Sequence, residues 1–356
     1  MAVTLDLDQK MILVAGGAGF IGSNLVKHLL AHGCQRIVIV DNLLSAERAN
    51  IPGDKRVQFI EGSIAEDEVL RELPDEFDYV FHLATYHGNQ SSIADPIADH
   101  DNNLLPTLKL YQHLKPFKRV RKVVYAASGC TLAPHTFDAA APTVENGQVP
   151  FELDSPYQIS KVVGEFYSVY YHKQHGLPTV RARFQNVYGP GELLGAGQWR
   201  GTPATVWRNV VPTFTYRALK QLPLWVEHEG RTSRDFIYVD DIVRGLLLCA
   251  AKGQPGEVYN LASGIETSIL ELAMLINRVA GNSAPLEHLP GRDWDHAGKR
   301  FGSTEKAKRF LGFEADVKLA DGVQQTVDWT RSNLTFIESC IQKHAAHMEV
   351  SRSSGS

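Results

Sequence analysis

Cysteine is scarce in this chain, with four in 356 residues. Cys34, Cys130, Cys249 and Cys340 stand too far apart for a CxxC pair, which excludes a zinc knuckle and a disulfide framework and reads most of them as small buried hydrophobes. No apolar run approaches the roughly 20 residues that span a bilayer. Met1–Lys10 has no basic region followed by an apolar stretch, so no leader is read and a cytoplasmic location is expected. An excess of one charge is also missing. The 36 basic and 40 acidic side chains give a net charge of -4, which leaves no electrostatic footprint for nucleic acid or an anionic membrane. Any polyanion must be small and held locally. The 14 histidines show no ligand pattern, and His82 and His87 fall on a strand and the loop after it, so no metal site is expected. Repeats, linkers and low-complexity stretches are lacking too, and the tail Ser351–Ser356 carries no fold information.

What is present is an alternation. Met11–Ala15, Arg36–Val40, Val57–Ile60, Tyr79–Leu83 and Lys122–Ala127 read as strands, with helices at Leu25–His32, Glu66–Leu73 and Asn102–Leu114 between them. Strands this continuously apolar are buried on both faces, which predicts an α/β fold with a doubly wound parallel sheet. Its ligands belong at the carboxyl ends of the strands. A long helix follows from Ser155 towards Gln174, then a strand at Thr179–Phe184. Beyond Tyr188-Gly189-Pro190-Gly191 the texture becomes irregular, with a helix over about 205–219. The expected organisation is a dinucleotide-binding Rossmann domain over 1–185 and a smaller mixed lobe over 186–335. Segments at about 235–265, Phe236–Val239 and Val258–Leu261 among them, are candidates to return to the main sheet, and 336–356 forms a terminal helix end and tail.

Two motifs carry chemistry. Gly16-Gly17-Ala18-Gly19-Phe20-Ile21-Gly22 lies between the first strand and the first helix, where Gly16, Gly19 and Gly22 permit a tight turn and close approach of backbone N–H groups to a pyrophosphate. Asp41 ends the second strand nineteen residues after Gly22, where a carboxylate accepts from a ribose 2′-hydroxyl and repels a 2′-phosphate. That points to NAD rather than NADP, while a turn cap made with Asn42 is the plainer role for the same side chain. Downstream, Tyr157 and Lys161 stand one helical turn apart. Alone that spacing fits a solvated helix face. Behind a glycine fingerprint it places an ammonium beside a phenol, which favours phenolate and so a base at neutral pH.

With these residues in place the chain resembles the extended short-chain dehydrogenase/reductases, in their nucleotide-sugar epimerase/dehydratase branch. The likeness runs from about Met11 to Trp329 through VAGGAGFIGS, VDN, VFHLA, DNN, SPYxxSK, RFxNVYGP, RDFIYVDD, EVYNLASG and a late RxxD, all in family order. The resemblance implies a tightly bound NAD contacted by Gly16, Gly19, Phe20, Ile21, Gly22, Asp41, Asn42, Ser63, Ile64, Leu83, Ala84, Asn103, Tyr157 and Lys161. It implies Ser128 as the residue that hydrogen-bonds the reacting sugar hydroxyl, Tyr157 as the base, and Lys161 as the residue that holds the nicotinamide ribose. For the nucleotide-diphosphate sugar it implies Asn186, Asn209, Arg234, Arg292 and Asp295, with His87 and Arg200 on loops that could reach the sugar. For Arg234 an ion pair with Asp235 or Asp240 is the structural alternative. A homodimer through the helices 102–114 and 156–174 is the family expectation, although aromatics such as Tyr111, Phe166 and Tyr170 serve as core equally well.

Departures from the family pattern select among reactions. The adenine-side carboxylate is missing, since Gly62 precedes Ser63-Ile64, and the strand Leu224–His228 has no assured base-stacking aromatic. Dehydratases carry an Asp-Glu pair directly after the strand-end hydroxyl, and here Gly129 and Cys130 stand there. Epimerisation at carbon 4 of a UDP-hexose through a 4-keto intermediate is therefore expected, on a glucose/galactose or glucuronate/galacturonate pair. Ser128-Gly129-Cys130 also resembles GDP-mannose 3,5-epimerase, which leaves Cys130 as a candidate ring-carbon acid/base, although Arg200 replaces that family's proton-carrying lysine and cannot deprotonate usefully.

Overall fold

The computed structural model describes residues 7–132, 136–292 and 298–353. Seven strands form one parallel sheet: β1 (Met11–Ala15), β2 (Arg36–Asp41), β3 (Val57–Glu61), β4 (Tyr79–His82), β5 (Lys122–Ser128), β6 (Thr179–Phe184) and, after four strands that pair elsewhere, β11 (Val258–Leu261). Their order is β11-β6-β5-β4-β1-β2-β3. The chain builds outward from β1 to β3 and then crosses back to lay β4 on the other side of β1, so a crevice opens between the carboxyl ends of β1 and β4.

Alternation along these strands feeds two cores. Ile12, Val14, Ile37 and Ile39 pack into one apolar cluster, while Leu13, Ala15, Val38 and Val40 pack into the cluster on the opposite face. Helices cover both faces: α1 (Phe20–Ala31), α2 (Asp67–Glu72), α3 (Asn89–Ala94), α4 (Pro96–Asp99), α5 (Leu105–Leu114) and α6 (Pro156–His175). Ser155 caps α6 by accepting from Gln158 N, Pro156 opens it, and Gly176 ends it with φ of 70° in the left-handed region that a side chain disfavours. A bidentate pair ties α6 to the sheet: Arg183 Nε and Nη2 each donate to Glu165 at 2.8 Å.

Beyond β6, β7 (Asn186–Tyr188) pairs with β10 (Phe236–Tyr238), β8 (Leu224–Glu227) with β13 (Leu286–Leu289), and β9 (Ser233–Arg234) with β12 (Thr267–Ser268). With α7 (Val210–Leu219), α8 (Val239–Lys252), α9 (Ile269–Ala280), α10 (Glu305–Leu311) and α11 (Leu319–Ser332) they complete the second region, and α12 (Leu334–Gln342) and α13 (Ala345–Ser353) close the chain. Tyr188, Phe214, Tyr238, Leu272 and Val323 share a further apolar cluster there. No described helix is long and apolar enough to cross a membrane.

Several expectations need correction. Val258–Leu261 returns to the main sheet, but Phe236–Tyr238 does not; it pairs with β7 instead. The segment expected as a helix over 102–114 is helical throughout but changes form, a π-helix at His100–Leu104 running directly into α5 at Leu105, where Pro106 has no N–H to offer the carbonyl one turn back. The helix expected over 205–219 begins at Val210, since the Arg208 guanidinium turns inward onto the carbonyls of Thr205, Ser45 and Ala196 and Asn209 is extended. The terminal segment is helical as far as Ser353.

Candidate functional site

At the β1–α1 turn Gly16 has φ of +82°, and a Cβ there would stand 2.5 Å from Ala84 N. The glycine is thus required both by conformation and by the packing of the β4 loop. Helix α1 starts at Gly19 with no side-chain cap, which leaves its first N–H groups turned to a cavity of about 400 Å³. Gly16, Gly19, Phe20, Ile21, Gly22, Asp41, Asn42, Ser63, Ile64, Leu83 and Ala84 all line it. The Asp41 carboxylate accepts from Ala18 N at 3.0 Å and Leu43 N at 2.9 Å, so it caps the turn and faces the cavity at once. Burial raises its pKa, opposed by those N–H donors. An uncapped helix terminus, a side-chain-free approach and a carboxylate at the adjacent strand end fit a dinucleotide: the first for pyrophosphate, the last for a ribose diol.

The same cavity continues past Ser128, at the end of β5, to Tyr157 and Lys161 on the first turns of α6. Buried Lys161 donates from Nζ to Ala126 O at 3.1 Å and lies 5.8 Å from the centre of the Tyr157 ring. The backbone N–H of Tyr157 donates to Ser92 Oγ at 3.2 Å, and Ser155 Oγ donates to Asn89 Oδ1 at 3.0 Å, so α3 fixes the start of α6. His87 lines the cavity with its ring 6.2 Å from that of Tyr157. Desolvation pushes its pKa down to about 3, helped by the nearby cations Arg200, Arg208 and Lys161, so the imidazole is neutral at pH 7.

Asn186, Asn209 and Arg292 also line the cavity, and Arg292 Nε donates to Glu227 at 2.8 Å. Three expected residues do not line it. Asn103 accepts from Thr85 Oγ1 and Tyr86 N and donates to Asp99, which also bonds Ser160; its amide braces the β4 loop against α6. Arg200 is buried, donates to His87 O at 2.8 Å and lies over the Tyr86 ring. Arg234 donates to the carbonyls of Ser233 and Gly298, while its sequence neighbour Asp235 accepts from Ser263 and Gly264. Asp295 and the Cys130 side chain lie outside the described residues. Cavity residues that sequence reasoning missed include Asn50, Asn102, Gln185, Glu192, Arg208 and Arg300. Of these, Asn102, inside DNN, Gln185, inside RFxNVYGP, and Glu192, next to the Tyr-Gly-Pro turn, stood beside a recognisable signal.

The rim beyond Glu192 is braced from the far end of the chain. Gly197 N donates to Glu47 at 2.8 Å, and Glu47 also pairs with Lys343. Gln198 N donates to Leu44 O at 3.0 Å, His344 Nε2 lies 2.9 Å from Gly195 O, and the Trp199 ring stacks on His347 at 5.0 Å.

Residues 12–262 match the model of the NAD dependent epimerase/dehydratase family. The Bordetella bronchiseptica enzyme WbmF, solved in complex with NAD+ and UDP, is 59% identical with a TM-score of 0.86, covering 96% of this chain and 98% of that one. The UDP-glucose 4-epimerase of Mycolicibacterium smegmatis is 32% identical over 90% of this chain and 98% of its own length. A dTDP-glucose 4,6-dehydratase of Streptomyces antibioticus is 28% identical over 97% and 99%. The chain belongs to the NAD dependent epimerase/dehydratase family, and is an NAD-dependent enzyme of the nucleotide-sugar epimerase/dehydratase type.

Proposed function

We propose that the enzyme inverts carbon 4 of a UDP-hexose, of the glucose/galactose or the glucuronate/galacturonate kind. Bound NAD supplies the hydride acceptor and donor. Tyr157 removes the proton of the sugar 4-hydroxyl, Ser128 hydrogen-bonds that oxygen, and Lys161 favours the phenolate. Once the 4-keto sugar has turned over in the pocket, Tyr157 returns the proton to the new hydroxyl. No net redox occurs, which suits a cofactor that stays bound.

The observation that carries this reading is what stands next to Ser128. Elimination of water needs a carboxylate pair, yet the two residues there are Gly129 and Cys130, and the Gln185 side chain lies against position 129, where an added Cβ would stand 2.7 Å from its Cδ. The UDP preference is supported by WbmF, solved with UDP, and by the UDP-glucose 4-epimerase relative. Incubating the purified protein with UDP-glucose, UDP-glucuronate, dTDP-glucose and GDP-mannose and resolving the sugars by NMR tests it. The expected product is the 4-epimer of a UDP-sugar, with no deuterium taken up from solvent; a 4-keto-6-deoxy sugar, or label at carbon 3 or 5, overturns the assignment.

The proposal extends to a homodimer through α5 and α6. Tyr111 is core, fully buried and bonded to Ser168, whereas Ile159, Phe166 and Tyr170 leave 50%, 58% and 50% of their surface exposed along α6. Such an apolar face suits self-association. Light scattering that returns a monomer mass at micromolar concentration overturns it.

A further inference from the structure

Glu192 lies just past the Tyr188-Gly189-Pro190-Gly191 turn, lines the cavity and is 7% exposed. Its Oε1 accepts from Asn209 Nδ2, but its Oε2 is buried with no partner among the described residues. Arg208, the cation that faces it, gives its donors to the carbonyls of Thr205, Ser45 and Ala196. Asn209 stands at the start of α7, whose amino terminus no side chain caps. Gly191 approaches α1, where Asn24 Nδ2 donates to Pro190 O at 3.0 Å. Glu192 thus borders, with that unpartnered oxygen still buried, a cavity reached by two helix amino termini and by Arg208, Arg292 and Arg300, surroundings suited to phosphoryl groups.

An ionised carboxylate beside a diphosphate would be doubly unfavourable, through desolvation and through repulsion. A protonated one has an O–H to give. We propose that Glu192 serves as a protonated carboxyl group that donates a hydrogen bond to a phosphoryl oxygen of a diphosphate held in the cavity, taking up a proton from solvent as that diphosphate binds. The proposal rests on the nucleotide-sugar reading for one of its two diphosphates, the other being that of NAD. Burial already pushes the carboxyl up to about 7, against the pull of Asn209 and Arg208. Of the other titratable groups that face the cavity, Asp41 is held by two N–H donors, His87 is already neutral, and Tyr157, Lys161, Arg292 and Arg300 complete the set.

UDP is titrated calorimetrically into NAD-loaded wild type and Glu192→Gln at pH 6 and pH 8, in two buffers of different ionisation enthalpy, so that protons are counted and the titration of UDP itself cancels between the proteins. In a second arm, NAD retained through gel filtration is measured at both pH values. If the substrate diphosphate is the partner, wild type takes up more proton than Glu192→Gln on binding UDP, and loses about tenfold more affinity from pH 6 to pH 8. If the NAD pyrophosphate is the partner, wild type alone sheds cofactor at pH 8. Wild type and variant that match in proton count and pH dependence in both arms overturn the proposal. UDP that binds at neither pH overturns the nucleotide reading instead, and the NAD arm then decides the role of Glu192.

Discussion

The two ends of the cavity are built by different means. At the cofactor end the chain works through backbone: a glycine turn with no room for side chains, an uncapped helix terminus, and a carboxylate held by two main-chain N–H groups. At the opposite end, where the proposed function puts the sugar nucleotide, it works through isolated polar side chains from separate segments, among them Arg208, Asn209, Arg292 and Arg300, with Glu192 beside them. Backbone sites tolerate little change and bind one shape. Side-chain sites can be retuned residue by residue, as expected where relatives of one fold bear the names of a UDP-glucose 4-epimerase and a dTDP-glucose 4,6-dehydratase.

Perturbations at either end sharpen that contrast. Tyr157→Phe, at the junction, is expected to lower kcat by roughly 10²–10⁴-fold while NAD still copurifies; spectrophotometric cofactor content beside NMR turnover separates the two effects, and substantial activity would refute the base assignment. Gly16→Val attacks the backbone end, combining a positive φ with contact against Ala84, and should cost about 3 kcal/mol or more and abolish NAD retention, read by thermal melting and absorbance.

Glu192→Gln tests the side-chain end. Burial holds the native carboxyl at about 7, above its ordinary 4.5, so the folded state keeps a proton that the unfolded state has lost. Wild-type stability therefore falls as pH rises from about 4.5 to about 7. The variant should be more stable than wild type by about 3 kcal/mol at pH 8 and equal to it near pH 4; melting curves across that range decide, and a gap independent of pH refutes the assignment. The smallest effect is expected for Ser155→Ala, which removes the α6 cap and its link to Asn89, at about 1 kcal/mol in denaturant unfolding.

The same contrast explains how much the sequence disclosed. The parallel sheet was readable because its strands are apolar on both faces, and the cofactor end because glycine spacing and strand-end Asp41 record backbone constraints locally. Phe236–Tyr238 misled because a short apolar run does not name its partner, and β7 rather than β6 receives it. Asn103 and Arg200 stand near the site but are occupied by the loop between β4 and α3, a matter of side-chain direction that a motif does not record. Glu192 and Arg208 went unnoticed because their environment is made by desolvation and by loops distant in sequence.

Glu47 touches Gly197 on one side and Lys343 on the other, a few residues from Asp41 along its own loop. The loop after β2, the loop beyond Glu192 and the final helices thus hang on one fastening. Whatever slackens it should quicken both product departure and cofactor escape, so that swift release and lasting retention compete for a single knot.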